Sequence, residues 1–130
     1  MPLKQKETGH AKTAEEVFSS LNAKDIEDIV SLFSEEASLD FPGSNVLGGF
    51  YLGRKKIKRF FQRFFTLVPD IKFKILTTIT SGSTVVVEWV SSGITKKGLP
   101  YDNKGVSFFE LQNGSIKEMR NYFDTEKLRN

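Results

Sequence analysis

Three apolar, β-rich segments separated by short Gly-bearing turns fill residues 84–124, and they limit what the chain can fold into more than any other feature. The first, TVVVEWVSSGIT (84–95), runs into Lys97-Gly98-Leu99-Pro100. The second, YDNKGVSFFEL (101–111), stops at Gln112-Asn113-Gly114, and the third, SIKEMRNYFD (115–124), closes the set. Val, Ile, Phe, Tyr and Trp suit a pleated, half-buried surface, and Asn-Gly is a strong hairpin signal. A meander of this kind covers a core with one face and can meet a partner with the other.

The 130 residues are enough for one domain with a real core, and Phe supplies 12 of the aromatic side chains against three Tyr and one Trp, a bias toward a wide apolar interior. The chain has no Cys, which excludes a disulfide framework and a thiolate metal site. The start, MPLKQKETGHAK, lacks the apolar core of a signal peptide, and no apolar run approaches membrane-spanning length. A soluble, cytoplasmic protein is the expectation. A formal charge of +3 is too mild to imply a nucleic-acid partner.

Ahead of the meander the pattern is helical. Residues 1–12 read as a loose polar tail and 13–130 as a single domain. Thr13-Ala14-Glu15-Glu16 fits a capping box before an apolar face of Val17, Phe18 and Leu21. Asp25 can cap a second helix in which Ile26, Ile29, Val30 and Phe33 repeat at helical spacing. Residues 37–41 read as a short strand stopped by Pro42-Gly43, and 45–52 as loop rather than strand. The third helix, 54–68, carries a broad stripe of Ile57, Phe60, Phe61, Phe64, Phe65 and Val68. In 71–80, Ile71, Phe73, Ile75 and Ile79 alternate with polar residues, and Ser81-Gly82-Ser83 turns into the meander. The order α-α-β-α-β-β-β-β predicts an α+β domain with its helices on one face of a curved sheet.

VFSSLNAKDIEDIVSLFSEEASLDFPGS (17–44) resembles the opening helices and first strand of ketosteroid isomerase. YLGRKKIKRFFQRFFTLVPDIKF, VVVEW and GVSFFELQNGSIKEMRNYFD resemble the SnoaL-like and limonene-epoxide-hydrolase branches of the same nuclear transport factor 2-like superfamily. The resemblance covers residues 13–126. It implies a cone in which a curved mixed or antiparallel sheet and about three helices enclose a pocket. The chemistry does not carry over with the shell. Where the isomerase has its carboxylate base, Tyr donor and partner acid, this chain has Phe41, Val17 and Ser107. Where the epoxide hydrolase has Asp, Arg and Asp, it has Ser91, Trp89 and Asn121, and its water-holding Tyr and Asn match Leu39 and Phe41.

By the same resemblance the inward set is Val17, Leu21, Leu39, Phe41, Phe64, Val68, Trp89, Ser91, Gly93, Asn103, Gly105, Ser107, Asn121 and Phe123. Its strand members keep to period 2, as one face requires. Mostly apolar walls with a few placed polar groups suit a small apolar ligand, with Asn121, Trp89 and Ser91 as candidates for orienting a substrate in isomerase, cyclase or lyase chemistry. The alternatives are a non-catalytic carrier or sensor with the same pocket and a core that is simply filled. Two Asn in a closed core would each need several hydrogen bonds, which favours an open pocket. No titratable side chain is in the set, so no metal and no cofactor is implied, and the only acids near it are Asp40, Asp102 and Asp124, should the register slip by one. His10 falls in the polar tail. Val86, Val90, Val106, Phe108 and Tyr122 make the opposite sheet face apolar and predict a homodimer through it. The six cations between Arg54 and Arg63 read first as a solvated helix face, with an anion- or protein-interaction module on helix 54–68 as the weaker alternative.

Overall fold

The computed structural model describes residues 3–127, with side chains from residue 6. Helices α1 (Leu3–Ala23) and α2 (Ile26–Ser31) precede strands β1 (Phe33–Phe41) and β2 (Gly49–Leu52). Helix α3 (Arg54–Leu67) follows, and then β3 (Lys72–Ser81), β4 (Thr84–Ile94), β5 (Pro100–Gln112) and β6 (Ser115–Phe123). The strands form one open six-stranded sheet in the order β2-β1-β6-β5-β4-β3. All neighbours are antiparallel except β1 and β6, so the sheet is mixed. The helices gather on its concave face, giving the α+β cone that the sequence predicts.

The core follows from the periodicities. In α3, Ile57, Phe60, Phe61 and Phe64 are buried at helical spacing while its charged residues face outward. In β4, Val85, Val87, Trp89 and Ser91 are buried in strict alternation. Fully buried Phe33 and Phe109 each contribute roughly 1.5–3 kcal/mol of transfer free energy. Edge strand β3 is shielded by α1: Asn22 Nδ2 donates to the Phe73 carbonyl (3.0 Å), and its Oδ1 accepts from the Phe73 amide (2.7 Å).

Four details differ from the sequence reading. From Leu3 the polar tail is the first half of α1. It is held by the β3–β4 turn, where Glu7 Oε2 accepts from the Gly82 amide (2.9 Å) and His10 Nδ1 donates to the Gly82 carbonyl (3.0 Å). Thr13 is therefore interior to the helix, its hydroxyl donating back to the Gly9 carbonyl (3.1 Å) rather than capping. Asp25 does cap α2, accepting from the Asp28 amide (3.0 Å), but α2 ends at Ser31 and Phe33 already belongs to β1. Residues 49–52 are a strand because β1 offers them a ladder, with Leu39 opposite Tyr51 and Phe41 opposite Gly49. A register shift between Ile75 and Thr77 turns Ile79 outward to 60% exposure, which breaks the alternation that would have buried it.

Candidate functional site

Three strands set the floor of the cone in register. Trp89 lies opposite Gly105, and Gly105 opposite Phe123; Val87, Ser107 and Asn121 form the next row, with Ser91 against Asn103. The glycine is needed there. A Cβ on Gly105 would sit 2.7 Å from Trp89 Cζ2 and 2.5 Å from the Tyr122 carbonyl oxygen, so the indole occupies the space a side chain would take.

Aromatic rings close in from above. Phe41 stands 4.6 Å from Phe123 and 4.8 Å from Phe60, centroid to centroid, and Phe73 meets Trp89 edge-on at 5.3 Å. Between them lies a void of about 40 Å³. That volume holds a few waters, well short of the ~300–1,000 Å³ of ordinary small-molecule sites.

Nine of the expected residues line this void: Leu21, Leu39, Phe41, Phe64, Trp89, Ser91, Ser107, Asn121 and Phe123. Three do not. Val17 is buried on α1 away from it, and Val68, just past α3, packs where a Cβ on Gly93 would touch its Cγ1 at 2.7 Å. Asn103 is buried but turned toward the end of β6, donating to the Tyr101 hydroxyl (3.0 Å) and the Asp124 carbonyl (3.1 Å). The void has further walls in Phe18, Phe60, Phe61, Phe73, Tyr101 and Met119. Tyr101 and Met119 share parity with Asn103 and Asn121, so extending period 2 by one step on each strand would have found them. Asp40, Asp102 and Asp124 do not line the void.

The polar groups of the floor are bonded to one another. Trp89 Nε1 donates to Ser107 Oγ (2.9 Å), Ser107 Oγ donates to Asn121 Oδ1 (2.7 Å), and Asn121 Nδ2 donates to the Asp40 carbonyl (3.0 Å). Both buried Asn amides thus find partners within the protein, so they no longer argue for an open pocket. The indole has no second N–H to offer a ligand. Tyr101 differs. Its oxygen accepts from Asn103, leaving its own proton to donate, and burial pushes the phenol above its ordinary pKa, with Asp124 adding to the rise and the Asn103 hydrogen bond opposing it. Tyr101 and Ser91 thus supply two lining hydroxyls for which no protein acceptor is found among the described residues, set among apolar walls. Among the described residues no cluster of His, Cys, Asp or Glu could hold a metal, and no helix is long and apolar enough to cross a membrane.

A family model for the SnoaL-like domain matches residues 14–119. The chain belongs to the SnoaL-like family. Solved structures place the fold of this SnoaL-like domain among nuclear transport factor 2-like proteins, Burkholderia examples included. Bal32a, from a soil-derived mobile gene cassette, is similar at 24% identity and a TM-score of 0.86, over 95% of this chain and 98% of that one. TerC, co-crystallised with polyporic acid, is similar at 24% identity and 0.81, over 91% and 93%. A putative isomerase from Bacillus subtilis is similar at 22% identity and 0.82, over 98% and 92%. No curated protein sequence matches the SnoaL-like chain.

Proposed function

We propose that the SnoaL-like domain binds a small, flat, apolar molecule carrying an acceptor oxygen, seated between the aromatic rings and hydrogen-bonded by Tyr101. One observation carries this reading: an interior walled by Phe41, Phe60, Phe73, Trp89 and Phe123 contains one buried phenol whose proton has no protein acceptor among the described residues. A phenol, neutral at physiological pH and raised further by burial, is suited to donate to a carbonyl or a developing enolate oxygen, which is the step an isomerase, cyclase or lyase needs stabilised. The co-crystallised TerC and the putative Bacillus isomerase, which share the fold, are consistent with that class of ligand and reaction. The void of about 40 Å³ is smaller than such a ligand, so the rings must yield, beginning with partly exposed Phe73 and Phe123.

A second reading, a non-catalytic carrier, is favoured by the Trp89–Ser107–Asn121 chain. These side chains are spent on each other, and no carboxylate or imidazole lines the void to act as a base. Calorimetric titration with neutral aromatic ketones such as 1-tetralone tests the shared core of both readings. Saturable binding that weakens about tenfold in Tyr101→Phe is the expected result. Absence of binding, or binding unchanged in that variant, would remove the Tyr101 assignment. Exchange of the ketone's α-protons for deuterium, followed by NMR, separates enzyme from carrier.

A further inference from the structure

The outer side of α3 carries a feature that the internal void does not explain. A groove of about 480 Å³ runs between α3, Val46 and the turn after β4, lined by Val46, Arg59, Gln62, Arg63, Thr66, Leu67 and Lys96. Three of these residues are cations and none is acidic. The groove is built rather than accidental: Arg63 Nη2 donates to the Val46 carbonyl (3.0 Å), and the Lys96 amide donates to the Leu67 carbonyl (2.9 Å), fixing both walls against the helix.

Ion pairing does not account for these charges. The ion pairs among the described residues are Lys58–Glu27 and Arg120 with Glu110 and Glu118, so Arg59, Arg63 and Lys96 are uncompensated. Lys55, Arg59 and Arg63 follow one another at i, i+4, a spacing at which like charges oppose the helix. The macrodipole gives no reason either, because α3 has no basic residue in its last turn and begins instead with Arg54-Lys55-Lys56 at its positive end. An anion seated in the groove would neutralise this repulsion.

We infer that the groove binds a phosphate-bearing small molecule. The Arg59 and Arg63 guanidinium groups, one turn apart, would fork its oxygens, Lys96 would supply a third charge from the opposite wall, and Gln62 and Thr66 would supply neutral polar contacts. The volume lies inside the ordinary range for small-molecule sites, about 300–1,000 Å³. The site is independent of the internal void and stands or falls without it.

Inorganic pyrophosphate is the probe, titrated by calorimetry at an ionic strength of about 0.15 M. The expected result is a Kd of about 1 mM or tighter. Arg59→Gln, Arg63→Gln and Lys96→Gln should each weaken it about tenfold or more, as loss of a charged hydrogen bond does. Arg63→Lys should fall between wild type and Arg63→Gln, since it keeps the charge and loses the fork. Lys117→Gln, on β6, should change nothing. The three glutamine variants alter exposed side chains, and circular-dichroism melts verify that they remain folded. No saturable binding by the wild type, or binding that ignores all three variants, overturns the inference. Tighter binding of oligothymidylates than of pyrophosphate, growing with their length, also overturns it and assigns the face to single-stranded nucleic acid.

Discussion

Ser107→Ala cuts the polar chain of the floor at its middle. Ser107 is 1% exposed, so bulk water cannot replace its hydroxyl. The change orphans the Trp89 Nε1–H, which has no other partner, and removes the donor to Asn121 Oδ1. Each buried group left unsatisfied costs about 1–3 kcal/mol. A water entering the adjacent void of about 40 Å³ would offset part of this, so the expected loss is about 2–4 kcal/mol. With an unfolding entropy of about 2.1 cal/mol/K per residue over 130 residues, each kcal/mol lowers Tm by about 4 °C, and the variant should melt about 7–15 °C lower. Urea unfolding followed by circular dichroism gives the free energy directly, and Trp89, as the sole Trp, reports on its own surroundings by fluorescence. The double variant Trp89→Phe/Ser107→Ala should cost at least about 1 kcal/mol less than the sum of the singles. A loss below about 0.5 kcal/mol, with additive singles, would refute the chain and return all three side chains to a ligand.

Further outcomes follow from the same geometry. Gly105→Ala forces a Cβ to 2.5 Å from the Tyr122 carbonyl oxygen and against the indole, so it should cost about 1–3 kcal/mol by urea unfolding and shift the Trp89 emission. Burial raises the Tyr101 pKa, so its contribution to stability is intact below about pH 10 and is lost as pH rises through the folded value; Tyr101→Phe should flatten the alkaline limb of a Tm-against-pH profile. Asn121→Asp sets a carboxylate against the Asp40 carbonyl where an amide donor stood, which raises its pKa. That variant should lose about 1.4 kcal/mol per pH unit as pH rises above about 4, until the folded pKa is passed, as followed by urea titrations at several pH values. On the outer sheet face Phe108 meets Tyr122 edge-on at 5.8 Å, and Tyr122 is 52% exposed; a second copy is proposed to cover this patch, and Phe108→Glu should convert a dimer to a monomer in sedimentation.

The resemblance put Trp89, Ser91, Ser107, Asn121 and Phe123 on one inward face, and the period-2 spacing legible in β4, β5 and β6 agreed with it; all five line the void. What the pattern could not supply was distance along the third dimension. Whether Ser107 reaches Trp89 or leaves room for a ligand depends on ring positions set by α3 and β1, which no local spacing encodes. The alternation also failed where the ladder itself slips: nothing in Ile75-Leu76-Thr77 announces the bulge that exposes Ile79. The N-terminal half of α1 was hidden for another reason. Its stability comes from Glu7 and His10 on the Gly82 turn, contacts made across more than 70 positions of sequence.

Strand β6 is the last in chain order yet lies inside the sheet, between β5 and β1. Its parallel partner β1 ends at Phe41, whereas β6 begins only at Ser115. At about 5–20 residues per second, a ribosome delivers one on the order of ten seconds after the other, far longer than local collapse takes. For that interval β1 lacks its parallel partner, so the rim that β6 later covers is an open template, and Phe33, Phe41 and the α3 rings lack the floor that β5 and β6 supply. A ribbon of β1 and β2 alone is marginal in water. A chain released before Ser115 would leave two unjoined sheets, β1–β2 and β3–β4–β5, each with a bare edge where β6 belongs.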